Sequence, residues 1–301
     1  MTFSPNDLPD LTGKVYLVTG ANTGMSETKG AEAAEKIRAE IPTAKVDVLL
    51  MDLQRLESVV AAAKELTRKE SKLHGLVNNA GIMAVKFELT PDGYDSQFQV
   101  NHISHWLLTH HHLPLLTKTA ASEPAEGAVR IVNVTSDGHN FAPCAVGIDF
   151  DDINQEKRGG VWTRYGQSKL GNILHARELN RRYGPGASGS KGGSEGGKIW
   201  TASVHPGHVD TQLNTRATGT GPLQKLQPVM KCLRVFITPD VGSHTSLFAV
   251  AGGGFKREDS GQYFEPVAKR GTPSKHARDD ALAARLWVWT EEEMRKRKLI
   301  D

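Results

Sequence analysis

A short apolar run that ends in a glycine turn constrains the architecture of this chain more than any other feature. Lys14 to Val18 is rich in β-formers and leads into Thr19, Gly20, Ala21, Asn22, Thr23 and Gly24. A strand, a tight glycine turn and a helix start present free backbone N–H groups to a pyrophosphate. An ordinary strand-to-helix turn has the same pattern, so the motif alone does not fix function. The alternation then continues. Val46 to Met51 is an apolar run followed by Asp52. Leu76 and Val77 enter the turn Asn78-Asn79-Ala80-Gly81, and Val129 to Val134 ends on the hydroxyls Thr135 and Ser136. A strand after Thr201 leads into Pro206-Gly207-His208-Val209-Asp210-Thr211. Helix candidates are Leu56–Glu70, Tyr94–Leu116, Arg164–Tyr183, Val241–Ala251 and Asp280–Arg297, and a late strand, Gly261–Val267, closes one sheet edge. Strands alternating with helices predict an α/β fold, a Rossmann-type doubly wound parallel sheet covered on both faces. Every turn named above lies at a strand's C-terminal end, where such sheets bind ligands.

Tyr165 and Lys169 have the spacing Y-x-x-x-K. On a helix, positions i and i+4 share a face. A phenol with a pKa near 10 is a poor base at neutral pH, and a neighbouring ammonium favours the phenolate. The pair is a candidate proton donor or acceptor for carbonyl and alcohol chemistry.

Composition excludes several classes. The 301 residues suffice for one large core, read here as a single domain over 1–301. A formal charge of +3 and the absence of a Lys/Arg block give no nucleic-acid surface. The two cysteines, Cys144 and Cys232, fit a reducing compartment. The first eleven residues lack a signal-peptide pattern, and no apolar stretch is long enough to span a bilayer. The expectation is a cytoplasmic protein with no membrane partner. Residues 184–197, rich in glycine and serine, read as a flexible surface insertion. His102, His105, His110, His111 and His112 crowd one predicted helix. Neighbouring helical positions diverge, and no C-x-x-C or H-E-x-x-H accompanies them, so no metal site is expected.

Taken together, these motifs resemble the short-chain dehydrogenase/reductase family over almost the whole chain, in the branch with retinol dehydrogenase-like and fungal reductase-like members. Its glycine motif is matched by Thr19, Gly20 and Gly24, its N-N-A-G by Asn78–Gly81, and its serine by Ser136. Its Y-x-x-x-K falls on Tyr165 and Lys169, its P-G-x-V-x-T on Pro206–Thr211, and its helix asparagine on Asn101. The resemblance implies a catalytic set of Ser136, Tyr165, Lys169 and Asn101. Ser136 would hydrogen-bond the substrate oxygen and Tyr165 would exchange a proton with it. Lys169 would lower the Tyr165 pKa and hold the nicotinamide ribose, and Asn101 would support a water relay to Lys169. The implied cofactor is NADP, with NAD as the alternative. Its binding positions would be Gly20, Asn22, Thr23, Gly24, Met25, Asp52, Asn79, Gly81, Tyr165, Lys169, Val209 and Thr211. Residues 208–240 would form a substrate lid, its apolar positions being Leu213, Leu223, Leu226, Val229, Met230, Leu233, Val235 and Phe236. Core packing at helical spacing is an equal reading of that pattern.

The chain departs from the family after Gly24. Met25 is followed at once by Ser26-Glu27-Thr28-Lys29-Gly30, which resembles the segment after the family's second strand. One helix and one strand, the usual second strand, are missing. Lys45–Met51 then has two options. It moves beside the first strand and brings Asp52 to the ribose, where a carboxylate favours NAD; or it keeps its place and leaves a gap.

The implied function is hydride transfer between NADP(H) or NAD(H) and a small lipophilic ketone, aldehyde or secondary alcohol, in a family-typical homodimer. Fungal secondary metabolism is associated with the resembled branch. The competing reading is a catalytically impaired reductase-fold protein that acts through protein contacts.

Overall fold

The central strands are buried almost end to end, as parallel strands covered on both faces must be. The computed structural model describes residues 3–20, 27–141, 144–185, 187, 197–209 and 236–301. Asn22, Thr23, Gly24, Met25, Thr211, Cys232, most of 184–197 and the lid positions from Leu213 to Val235 lie outside the described residues. Among the described residues six strands form one sheet: β1 (Tyr16–Val18), β2 (Gly75–Asn78), β3 (Val129–Val134), β4 (Ile199–Val204), β5 (Gln262–Glu265) and β6 (Lys269–Arg270). They lie in chain order; β1 to β5 are parallel and β6 is antiparallel to β5.

Successive side chains on a strand point to opposite faces, and the two faces build two cores. Leu76, Val129 and Ile131 face one core with Leu56, Phe98, Trp106, Leu174 and Trp287. Val77, Val132 and Val134 face the other, with Ala202, Ala249, Phe255 and Phe264. The first core is roofed by α2 (Leu56–Lys69), α4 (Ser104–Ser122), α6 (Val161–Tyr183) and α8 (Asp280–Lys296). The second is covered by α7 (Pro239–Ala251), which starts at the Thr238 cap. Among the described residues no helix is long and apolar enough to cross a membrane.

The structure corrects two expectations. First, Lys45–Met51 is not a strand: after α1 (Glu27–Glu40), residues 44–52 have no regular structure. The first option read from the sequence, a place beside β1, is not realised. A strand needs a partner, and the helix–strand pair that would supply one is missing. The segment instead leans on α1, where the Arg38 guanidinium donates to the Val46 carbonyl. The sheet therefore extends from β1 in one direction only among the described residues, and Val18 is left 47% exposed. Second, the helix read from Tyr94 to Leu116 is divided. Asp95 caps a short turn, α3 (Ser96–Phe98), by accepting from the Gln97 and Phe98 N–H groups. A π turn, Gln99–Ile103, follows and only then does α4 begin.

α8 fixes α6 from outside. The Trp287 ring meets Trp106 of α4 at 5.2 Å, and Arg182 of α6 lies over it at 4.7 Å. Trp287 is 4% exposed, so truncation leaves a cavity under α8. Replacing Trp287 with Ala is expected to lower the unfolding free energy by about 3–5 kcal/mol. Urea denaturation checks this, and a loss below about 1 kcal/mol would show that α8 is peripheral to the core.

Candidate active site

The end of β3 and one face of α6 are held together by polar groups. The Val134 carbonyl accepts from Lys169 Nζ at 3.2 Å and from Asn172 Nδ2 at 2.9 Å. Thr135 Oγ1 donates to the Lys169 carbonyl at 2.7 Å, and Asn133 Nδ2 donates to the Asn172 carbonyl at 3.1 Å. These bonds bring Ser136, just past β3, against Tyr165. Between them sits Gly138, at the start of the short α5 (Gly138–Phe141). A Cβ on Gly138 would lie 2.8 Å from Tyr165 Cε1, so only glycine lets the phenol and the serine meet. The Gly138 N–H donates to Ser136 Oγ at 3.1 Å.

Tyr165, Lys169, Ser136 and Asn101 therefore converge, all of them buried. Asn101 lies in the π turn. Its amide clasps residue 82, accepting from Ile82 N at 2.9 Å and donating to Ile82 O at 3.0 Å. It also donates to Ser168 Oγ at 2.9 Å, whose hydroxyl donates to the Tyr165 carbonyl. A π turn inside a helix is a frequent mark of a functional site. Gly81 lies under this cluster: a Cβ there would be 3.0 Å from Asn101 Oδ1 and 3.3 Å from Lys169 Nζ.

Electrostatics correct one expectation. Burial pushes the Tyr165 phenol up to about 12; the hydrogen bond with Ser136 opposes the rise and the charge of Asp137 adds to it. Burial also lowers Lys169 to about 8. The sequence reading has the lysine lowering the tyrosine. In the structure Lys169 Nζ lies 5.8 Å from the centre of the Tyr165 ring, and desolvation of the phenolate wins.

The expected nucleotide positions are only partly gathered. Gly20, two residues past β1, has φ +73° and packs on Ala80, where a Cβ would be 2.7 Å from the Ala80 Cα. Asn79 Nδ2 donates to the Thr19 carbonyl at 2.8 Å, which fastens the β2 turn to the end of β1. Val209 forms a bridge with Ile237. Asp52 accepts from the Gln54 N–H at 2.8 Å and lies 3.6 Å from the Arg55 guanidinium, in the turn before α2. The residues present fit a nicotinamide ribose. Lys169 is a buried cation 5.8 Å from the centre of the Tyr165 ring, and the side-chain-free edge of Gly81 lies close to both Lys169 and Asn101.

Three neighbours had no site role in the sequence reading. His105 stands one helical turn beyond Asn101 on the same face. Its Nδ1 lies 3.0 Å from the Asn101 carbonyl and its Nε2 lies 2.8 Å from Thr19 Oγ1. Burial lowers it to about 4, so the ring is neutral. Thr19 Oγ1 also accepts from Asn79 N and Ala80 N, so a hydroxyl in the glycine turn orders the β2 turn. Asp137 accepts the Ser136 hydroxyl at 3.0 Å. The i+4 spacing from Asn101 is the signal for His105, and adjacency to Ser136 is the signal for Asp137. Of the other helix histidines, His111 Nε2 contacts the Leu299 carbonyl and His112 Nδ1 the Leu108 carbonyl, while His110 stacks on Trp106. His102 packs near Phe98 and His175.

Comparisons with known proteins bear on the fold and the family. A family model described as short chain dehydrogenase matches residues 14–146. Short-chain dehydrogenase/reductase drtF of Aspergillus calidoustus is 53% identical over 318 aligned positions, covering 99% of this chain and 98% of that protein. The chain has only 301 residues, so at least 17 of those 318 positions are gaps in it. Human retinol dehydrogenase 12 is 34% identical, covering 92% of this chain and 85% of the relative. A solved structure of an uncharacterized Mycobacterium paratuberculosis protein superimposes with a TM-score of 0.68 at 27% identity, covering 98% of both chains. With its parallel sheet and the Tyr165–Lys169 pair beside Ser136, the chain belongs to the short-chain dehydrogenase/reductase family of NAD(P)-dependent oxidoreductases.

Proposed function

We propose that the protein reduces the carbonyl group of a small lipophilic ketone or aldehyde, with NADPH as the nucleotide and NADH as the alternative. The observation that carries this reading is the contact of Ser136 with a Tyr165 phenol that burial keeps protonated. A protonated phenol is a proton donor, which is what a carbonyl needs as it becomes an alcohol. The bound nucleotide supplies the hydride. Ser136 holds the substrate oxygen, and Tyr165 gives that oxygen its proton. Lys169, a buried cation on the same helix face, holds the ribose and favours charge on the phenol as the proton leaves. Asn101 keeps the residue 82 backbone and Ser168 fixed behind the pair. The glycine turn is cofactor-binding in this reading, as are Asp52, Asn79, Gly81 and Val209. The lipophilic class is supported by the Trp162 ring, 6.1 Å from Tyr165, and by a 34%-identical relative whose name specifies retinol. The paucity of cysteine supports a cytoplasmic setting.

Replacing Tyr165 with Phe is expected to cut kcat by about a hundredfold or more. Saturable quenching of tryptophan fluorescence by NADPH should persist in this variant. Near-normal turnover in the variant would remove Tyr165 as the proton donor. A folded wild-type protein that shows no saturable signal with either NADPH or NADH would favour the impaired-reductase reading.

The lysine adds a pH dependence. Its folded pKa of about 8 lies below the ordinary value of 10.5, so its charge is lost as pH rises through that region. Carbonyl reduction is expected to hold steady below the limb and fall above about pH 8. Replacing Lys169 with Arg, which stays charged, should move the limb upward. A limb that stays in place in that variant would assign it to another group.

A further inference from the structure

Asp137 stands beside the proton donor with nothing in the reduction mechanism to do. Its side chain is a third exposed, at 33%, whereas Ser136 and Tyr165 are buried. One oxygen accepts the Ser136 hydroxyl at 3.0 Å. His205 Nε2 lies 3.8 Å from that oxygen, and His208 Nε2 lies 3.4 Å from the other. A carboxylate has about four acceptor sites, so among the described residues capacity remains on the exposed side.

The placement conflicts with reduction of a plain ketone. Ser136 has one hydroxyl proton, and both the Tyr165 oxygen and the Asp137 carboxylate stand within its reach. While that proton points at Asp137, Ser136 turns a lone pair toward an incoming carbonyl oxygen. The carboxylate also repels that oxygen directly. A substrate that brings a hydrogen-bond donor of its own resolves both problems. Its hydroxyl occupies the carboxylate, and the Ser136 proton is released to the carbonyl.

We propose that Asp137 selects carbonyl substrates bearing a hydroxyl one or two carbons from the reacting carbonyl, and that it does so by accepting that hydroxyl. The spacing follows from the site. The reacting oxygen sits within about 3 Å of Ser136 Oγ, and the donor within about 3 Å of Asp137. Those two protein oxygens are themselves 3.0 Å apart. A vicinal hydroxy ketone spans that separation, and the product is a diol. This inference rests on the carbonyl-reduction reading and narrows its substrate class.

Two matched series test it, one bulky and one small: benzoin, benzoin methyl ether and deoxybenzoin; and hydroxyacetone, methoxyacetone and butanone. The ether retains the second oxygen and loses its proton. Initial rates of NADPH oxidation give kcat/KM for each. In at least one series the wild-type protein should prefer the hydroxy ketone over its ether by about tenfold or more, the scale of a hydrogen bond to a charged acceptor. In Asp137→Ala that ratio should collapse toward one, through loss on the hydroxy ketone and gain on the plain ketone. Asp137→Asn, which keeps a neutral acceptor, should fall between. A wild-type ratio near one in both series overturns the proposal without recourse to any variant, as does an undiminished ratio in a folded Asp137→Ala protein. Reduction of deoxybenzoin or butanone with no preference for the hydroxy partner leaves the carbonyl-reduction reading standing and removes this one. Failure to reduce any of the six removes both.

Discussion

The Val134 carbonyl is the joint on which the site turns. It ends a central strand and receives two side chains from one helix, Lys169 and Asn172. In a parallel sheet the last carbonyl of a strand has no sheet partner beyond it, so it is available at the edge where ligands bind. Using it to hold α6 sets the depth and rotation of that helix. Once they are set, Tyr165 and Lys169 follow from the i, i+4 spacing, and Gly138 lets the phenol reach Ser136. The outer shell is apolar, with Trp106 and Trp287 pressing α4 and α8 around α6. Strand, helix and roof therefore fix the distance between two hydroxyls.

Burial, more than charge, sets the protonation states there. Water is excluded from the phenol, so its anion is disfavoured and its pKa rises; the same exclusion lowers the lysine. The two shifts have opposite effects on charge. The phenol stays neutral at ordinary pH, while the amine moves to where small changes in pH remove its charge. A bound substrate oxygen that gathers negative charge would alter this balance, because it supplies the ion that the cation lacks. In the proposed reading the site is thus poised to give a proton when a hydride arrives on the neighbouring carbon.

Much of this was legible in the sequence, for local reasons. The buried strands read as continuous apolar runs, and α6 was legible from a helical pattern whose Y-x-x-x-K needs no tertiary information. What was not legible depends on partners distant in sequence. Lys45–Met51 has the composition of a strand, but pairing is a property of the neighbour and the neighbour is missing. The π turn breaks a pattern that looks helical throughout, because an asparagine that clasps residue 82 outweighs helical continuity. His105 reads as one of a run of histidines. Its role as a strut between Thr19 and the Asn101 carbonyl appears only when β1 and α4 are placed side by side. The direction of the tyrosine shift was misread because spacing shows the nearby cation and hides the absence of water.

The shortened stretch after the glycine turn and the chemical site lie in different parts of the fold. β1 has no neighbour on its outer side among the described residues, and Val18, Ile37, Ile41, Val48 and Leu50 are exposed along that stretch. The reacting end is built from β3, α6 and the π turn, whose packing runs to α4 and α8 rather than to α1. In the proposed reading the missing outer strand belongs to the adenosine end of the cofactor site, whereas Ser136 stands just past β3 and Tyr165 and Lys169 stand on α6. Contacts to a remote part of a cofactor bind ground state and transition state alike, so their loss weakens affinity more than it slows chemistry. In the proposed reading, the shortening and the intact Ser136, Tyr165 and Lys169 are compatible within one enzyme: the first tunes how tightly the nucleotide is held, and the second determines what happens once it is there.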